Sequence, residues 1–234
     1  MPLHKVILLS DTTKLYLWKI TEDFDTLFSQ VQLKPSTLER LQSMKSISHQ
    51  KGFLAVRMLL QYNDYSDFDL YYDAFGKPHL KVDFENLSQQ ENLKQENSKK
   101  LLPEALEGNN FISISHSNDF SAIVISEQKV GLDIEQLKNK TLKIASRFMD
   151  VSHLEGLNDE EKIKKATVIW GIKESIFKIK NEVGISFLYH IFEDNFTFED
   201  KNATTTLKFN NKEEKFKIQF DSAEDYIFVC AFEK

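Results

Sequence analysis

A polar stretch of the chain, residues 85–110, is rich in Gln, Asn, Glu and Lys and shows little apolar periodicity. This composition is typical of solvated segments. We interpret it as an insertion between an N-terminal subdomain, residues 1–84, and a C-terminal subdomain, residues 111–234. The 234 residues are ample for a substantial core.

Short apolar runs on both sides of this stretch predict β-strands. The predicted strands are residues 5–9, 15–20, 111–114, 122–125, 130–134, 205–209, 216–220 and 226–232. Because neither half alternates strands and helices regularly, the pattern favours an α+β fold over a parallel α/β fold.

Three helical patterns accompany these strands. Ser36 with Glu39 forms a capping-box pattern before one apolar repeat, and a second repeat at residues 53–60 follows a predicted break near His49. Asn158, with Glu161 three residues later, predicts the start of a long helix that ends near residues 181–184.

Composition narrows the class of protein. The formal net charge of −6 does not favour a nucleic-acid surface, and the single cysteine, Cys230, lies in an apolar run that predicts burial. One cysteine allows neither a disulfide nor a zinc framework. The apolar run at residues 6–9 is too short for a membrane span, so we expect a cytoplasmic protein that does not bind the membrane.

Two acidic residues, Asp133 and Glu135, fall on one face of a predicted strand because side chains two apart point the same way. Carboxylates placed like this suit Mg2+, which completes its shell with water and substrate phosphates. The alternative is a strand end whose acidic residues face water.

Glu174 and Lys178 are four residues apart on the predicted long helix and share one face. A surface ion pair would explain this spacing. In a functional interpretation, the glutamate would bind metal or accept a proton, and the lysine would neutralise phosphate.

Two further sites are candidates for binding phosphate. Ser115 and His116 end a predicted strand, and Gly76 with Lys77 forms a turn that combines close backbone approach with a cation. Each could equally be a local structural feature.

The order of four motifs, GKP, SHS, GLDIE and WGIKESIFK, resembles the Sfp-type 4'-phosphopantetheinyl transferases over residues 75–184. The resemblance implies two similar α+β halves with the active site in the cleft between them. It also implies that Asp133, Glu135 and Glu174 hold Mg2+. Glu174 would be the base, and Lys178 would contact the pyrophosphate of coenzyme A.

The resemblance further implies a holo-[acyl-carrier-protein] synthase type of activity. The serine oxygen of an apo acyl or peptidyl carrier protein would attack the β-phosphate of coenzyme A, releasing adenosine 3',5'-bisphosphate. Lys77, beside Gly76, would lie near the adenosine, and Ser115 with His116 would meet the 3'-phosphate. Where the family often has an arginine for this phosphate, the chain has His49, with Lys51 as the rival.

Two other functions remain open on sequence grounds. One is a non-catalytic module that binds coenzyme A or a carrier protein, and the other is a Mg2+-dependent hydrolase of another nucleotide diphosphate. We expect a monomer because two halves in one chain would form the cleft alone. Basic residues at positions 138, 140, 143 and 147 are candidates for contacting the acidic helix that such carriers present.

Overall fold

The computed structural model describes residues 3–81 and 110–234. The predicted insertion at residues 85–110 falls outside them except for its last residue, and the three domain bounds stay predictions. The strands are β1 Leu3–Ser10, β2 Thr13–Lys19, β3 Leu70–Tyr72, β4 Pro78–Leu80, β5 Phe111–Ser117, β6 Phe120–Ser126, β7 Val130–Gln136, β8 Ile191–Glu193, β9 Asn202–Phe209, β10 Lys212–Ala223 and β11 Tyr226–Glu233. The helices are α1 Phe24–Ser29, α2 Pro35–Ser43, α3 Ile47–Tyr62, α4 Asn139–Lys143, α5 Asp159–Lys180 and α6 Phe187–His190.

Two antiparallel sheets organise the described residues. The first has the order β1-β2-β6-β5, and the second has the order β7-β11-β10-β9-β8. The first sheet therefore takes strands from both sides of the predicted insertion. β3 and β4 form a separate hairpin. The mixed helix and strand content confirms the α+β class.

Three apolar clusters form the core of the part of the chain that the structure describes. One lies between α3 and the first sheet, and another lies between α5 and the second sheet. The third joins the remaining faces of the two sheets, with Leu17 and Phe120 on one side and Leu132 and Phe228 on the other. Cys230 is fully buried in this central layer, as predicted.

The long helix α5 begins and ends as its sequence predicts. The Asn158 side chain accepts a hydrogen bond from the Glu161 N–H at 3.0 Å, and the Glu161 side chain accepts one from the Asn158 N–H at 2.9 Å. The helix ends at Asn181, which adopts φ 49° in the left-handed region. The predicted capping box at Asn158 is confirmed.

Two predictions about the N-terminal helices are wrong. The pattern at Ser36 and Glu39 is not a cap, because α2 already begins at Pro35, a residue suited to the first helical position. The break predicted near His49 lies a few residues earlier, at residues 44–46, because α3 already begins at Ile47 and Ser46 caps it by accepting from the His49 N–H. None of the helices in residues 3–81 and 110–234 is both long enough and apolar enough to span a membrane.

Candidate active site

Strand β7 lies at the edge of the second sheet, next to edge strand β5 of the first sheet. We call the line along which these two strands meet the seam. Asp133 and Glu135 of β7 both point to it: the Ser115 hydroxyl donates to Asp133 Oδ1 at 3.0 Å, and the Ser117 hydroxyl donates to Glu135 Oε2 at 2.9 Å. Asp133 is buried and Glu135 is half-buried.

Helix α5 approaches the second sheet closely because two glycines lie at the contact. A Cβ on Gly131 would stand 1.9 Å from the Ser175 carbonyl oxygen, and a Cβ on Gly171 would stand 2.5 Å from Val229 Cγ2. The Ser175 hydroxyl also donates to the Val229 carbonyl at 3.0 Å. This close packing holds the helix face that carries Glu174 and Lys178 against β7.

Lys178 connects the helix to the seam. Its ammonium group donates to Asp133 Oδ1 at 2.9 Å, to the Leu132 carbonyl at 2.7 Å and to the Ser115 hydroxyl at 3.1 Å. The expected surface pair between Lys178 and Glu174 is not among the ion pairs of the described residues; the lysine pairs with Asp133 instead. The two predicted motifs are thus brought together in space.

Burial and like charge raise the pKa of the two other carboxyl groups at the seam, those of Glu174 and Glu135. Burial raises the pKa of Glu174 to about 7, the negative charge of Asp133 adds to the shift, and the Lys178 ammonium opposes it. Burial, followed by the charge of Asp133, also raises the pKa of Glu135. A carboxyl group with a pKa near neutrality can take up a proton at physiological pH.

The carboxylate oxygen atoms of Asp133, Glu135 and Glu174 are suitable ligands for a hard divalent cation. Asp133 Oδ2 is buried and has no hydrogen-bond partner among the described residues. Asp133 raises the pKa of both neighbouring carboxyl groups, so a positive charge among them would relieve the repulsion. Within residues 3–81 and 110–234, however, no three His, Cys, Asp or Glu side chains are already arranged around one ion position.

The turn that contains Gly76 and Lys77 contacts the C-terminal end of α5. Gly76 adopts φ 80°, and the Lys77 ammonium donates to the Ile179 carbonyl at 2.8 Å. The Asn181 side chain donates to the Phe75 carbonyl at 3.1 Å. Burial lowers the pKa of Lys77, with a further contribution from Lys129.

A cavity of about 260 Å³ lies between this turn and the seam. Lys77 and Lys178 contribute positive charge to its wall, and the rest of the lining includes Arg40, Tyr72, Gly76, Pro78, Ile112, Ser113, Ile114, Val130, Phe177 and Asn181. Arg40 also lies over the Tyr72 ring, 5.0 Å from its centroid. The cavity therefore combines an apolar wall with three cations.

His49 and His116 come together at the other end of the seam, with ring centroids 4.8 Å apart. Gly52 makes this approach possible, since a Cβ there would lie 3.1 Å from His116 Cδ2. Burial and the neighbouring His49 and Lys178 lower the pKa of His116. Both rings keep contact with solvent.

Sequence reasoning missed two residues of this region and the role of a third, Ser117, which lies in the SHS motif. Arg40 of α2 lines the cavity, and no local pattern marks it. Ser113 and Ser117 contact β7, and their signal was present in the alternation of isoleucine and serine along residues 112–117. Ser115 was predicted to meet a phosphate, and its hydroxyl lies on Asp133.

Comparison with known proteins adds an independent line of evidence. Residues 129–231 match the profile of the 4'-phosphopantetheinyl transferase superfamily. The chain is 29% identical over 141 residues to a 4'-phosphopantetheinyl transferase of Bacillus subtilis, covering 58% of this chain and 61% of the relative. It is 31% identical over 123 residues to the 4'-phosphopantetheinyl transferase gsp of Aneurinibacillus migulanus, covering 50% and 49%.

A third relative is the 4'-phosphopantetheinyl transferase psf-1 of Bacillus pumilus, 30% identical over 98 residues, with 41% of each chain covered. The chain thus spans between 41% and 61% of the length of these three relatives. Asp133, Glu135, Glu174 and Lys178 lie inside the matched range, whereas the turn at Gly76 precedes it. Across residues 129–231, this chain is similar to the 4'-phosphopantetheinyl transferase superfamily.

Proposed function

We propose that the protein transfers the 4'-phosphopantetheine arm of coenzyme A to a serine of an apo carrier protein. The observation that carries this proposal is the convergence of Glu174 and Lys178 on Asp133, where burial and like charge raise the pKa of Glu174 to about 7. A base of this pKa, a fixed cation and acidic side chains are the groups that phosphoryl transfer requires. The similarity to 4'-phosphopantetheinyl transferases of two bacteria supports the same transfer.

We also propose that the chain consists of two similar halves, one built on each of the two sheets and so divided between β6 and β7, with the active site between them. Strand order supports this: β2-β6-β5 in the first sheet corresponds to β7-β11-β10 in the second. In each trio the first strand precedes a long helix, α3 or α5, and the other two strands follow that helix. Hydrogen bonds from Ser115 and Ser117 to β7 cross from one half to the other.

Coenzyme A would lie along the seam in this proposal. The cavity of about 260 Å³ is smaller than the roughly 300–1,000 Å³ of most small-molecule sites, so it would take only the adenosine portion, beside Gly76 and Lys77. His116, Ser115 and His49 would meet the 3'-phosphate. Lys178 would face the pyrophosphate, and Arg40 would add positive charge to the cavity wall.

Asp133, Glu135 and Glu174 would hold Mg2+. The bound ion would offset negative charge on the pyrophosphate. Glu174 would also accept the proton of the attacking carrier serine, since the described residues give its carboxyl group no ion pair of its own. Lys178, already positioned by Asp133 and the Leu132 carbonyl, would stabilise the charge that moves onto the leaving adenosine 3',5'-bisphosphate.

The carrier would dock near α4, where four basic residues are exposed: Lys138, Lys140, Lys143 and Arg147. Their charge would complement an acidic helix of the carrier. We propose that the enzyme is of the holo-[acyl-carrier-protein] synthase type and works as a cytoplasmic monomer.

The deciding experiment is the intact mass of a purified apo acyl carrier protein after incubation with this protein, coenzyme A and Mg2+. We expect a gain of one phosphopantetheine unit that EDTA and Glu174→Gln both abolish. Glu160→Gln is the matched control, since the exposed Glu160 lies on the same helix and pairs only with Lys164 among the described residues.

The alternatives give different results in the same assay. A hydrolase would consume coenzyme A without changing the mass of any carrier, and a binding module would leave both unchanged. Failure to modify any of several acyl and peptidyl carriers, together with measurable coenzyme A binding, would overturn the transferase proposal.

A further inference from the structure

Three serines of β5 form a ladder along the seam. Their hydroxyl groups each accept a hydrogen bond from a β7 backbone N–H, and the pairs are Ser113 with Leu132 at 2.9 Å, Ser115 with Ile134 at 3.3 Å and Ser117 with Gln136 at 3.4 Å. Because β7 is an edge strand, these N–H groups have no partner strand on that side. The serine ladder satisfies them with side-chain oxygen atoms.

A hydroxyl group that accepts a hydrogen bond still has a proton to donate. Ser115 and Ser117 donate theirs to Asp133 and Glu135, respectively. Ser113 contacts the Leu132 N–H but no carboxylate within the described residues. The three serines therefore share one structural role, and two of them have an additional contact with an acidic side chain.

The two acidic residues depend on their serines to different degrees. Asp133 is held by Ser115 and also by Lys178. For Glu135, Ser117 is the only hydrogen-bond donor in the part of the chain that the structure describes. A half-buried glutamate with a single donor adopts the orientation that this donor imposes.

We propose that Ser117 is a positioning residue that presents the Glu135 carboxylate to the divalent cation. This inference rests on the proposed function, because it takes Glu135 as a metal ligand. Outer hydrogen-bond partners of this kind orient the ligand before the ion arrives, and their removal typically lowers metal affinity by about ten- to a hundredfold.

The test measures Mn2+ binding to the full chain by electron paramagnetic resonance, in the presence of coenzyme A. We expect Ser117→Ala to weaken binding by about tenfold, and Ser117→Thr, which keeps the hydroxyl, to restore it. Melting curves establish that each variant is folded.

A double-mutant cycle separates positioning from general destabilisation. In the Glu135→Ala background, Ser117→Ala should cause no further loss of Mn2+ affinity, because Ser117 acts through Glu135. At saturating Mn2+, the carrier transfer rate of Ser117→Ala should return to near the wild-type rate.

The possible results show which proposal has failed, the metal site or the role of Ser117. If wild type binds no Mn2+, or Asp133→Asn does not weaken binding, the proposed metal site falls and this inference falls with it. If Asp133→Asn weakens binding but Ser117→Ala does not, only the role of Ser117 is overturned. A further loss of Mn2+ affinity from Ser117→Ala in the Glu135→Ala background also overturns it, since it would show that Ser117 does not act through Glu135.

Discussion

Lys173 and Glu174 are neighbours in sequence, yet α5 places them in opposite environments. Lys173 is buried and forms an ion pair with Glu193, which fixes β8 to the helix. Glu174 faces the seam, where Asp133 and Glu135 raise its pKa and the described residues give it no ion pair. At the scale of single residues, two adjacent positions of one motif therefore differ in role. Lys173 forms a structural ion pair, and Glu174 has the raised pKa on which the proposed chemistry depends.

The raised pKa of Glu174 lowers the free energy of unfolding once the carboxyl group is ionised. Between pH 4.5 and about 7 the folded protein binds more protons at Glu174 than the unfolded chain does, so stability falls as pH rises through this window. Glu174→Gln should therefore make the metal-free protein more stable at about pH 8 by roughly 1 kcal/mol, after allowance for solvent screening of this half-buried group.

Urea unfolding of wild type and Glu174→Gln in EDTA, at about pH 4 and about pH 8, checks this expectation. The two proteins should converge at the lower pH, where the carboxyl group is protonated in both folded and unfolded states. Added Mg2+ should stabilise wild type more than Glu174→Gln. Equal stability at the higher pH would contradict the environment described for Glu174.

At the scale of elements, the glycines at the contact between α5 and the second sheet set the distance from Glu174 to β7. Gly171→Ala would bring a Cβ to 2.5 Å from Val229 Cγ2. Overpacking of this kind costs roughly 1–3 kcal/mol, which outweighs the helix propensity that alanine gains. We expect a lower melting temperature and weaker Mn2+ binding, because the helix must move away from β7.

Val229→Ala offers a rescue for this variant, since it removes the methyl group that the new Cβ would meet. The double variant should be more stable than the sum of the two single effects predicts. For Gly131→Ala no such rescue exists, because its Cβ would meet the Ser175 backbone oxygen. Additive effects of Gly171→Ala and Val229→Ala would contradict the close contact.

Sequence signals predicted elements best where the physical cause is local. The cap at Asn158 and the end of α5 at Asn181 depend on a few adjacent residues, and both were predicted correctly. The break predicted near His49 was misplaced, and Gly52, which follows it inside α3, is small because of a distant contact with His116. The serine ladder went unpredicted for the same reason, since its partners are β7 backbone groups of another sheet.

At the scale of the whole molecule, contacts between the two sheets run beyond the seam. The Tyr226 hydroxyl of β11 donates to Asp119, in the turn between β5 and β6. The central apolar layer joins the same two sheets. The sequence could predict the strands but not that β6 pairs with β2, because this pairing spans a long polar stretch. The roles of the site residues stay predictions.

Carrier docking is a prediction at this scale. Lys143 and Arg147 are exposed on α4 and the turn that follows it. Lys143→Glu with Arg147→Glu should weaken carrier binding by about tenfold or more, while coenzyme A affinity stays unchanged. Lys212→Glu with Lys217→Glu makes the same charge change on exposed β10 positions and is the control.

Titration calorimetry with carrier and with coenzyme A, each at two salt concentrations, measures both affinities. The loss of carrier affinity should be smaller at high salt because exposed charges are screened. Unchanged carrier affinity in the Lys143→Glu, Arg147→Glu variant would remove this surface from the proposal.

The serine ladder also bears on how the protein avoids self-association. Unpaired edge strands can recruit a strand from another molecule and so begin aggregation. Here β5 and β7 cover each other, and hydroxyl groups close the β7 edge without merging the two sheets. If the two sheets separated, the edges of β5 and β7 would become exposed together, so we expect the seam that arranges the acidic residues also to disfavour strand pairing between molecules at these two edges.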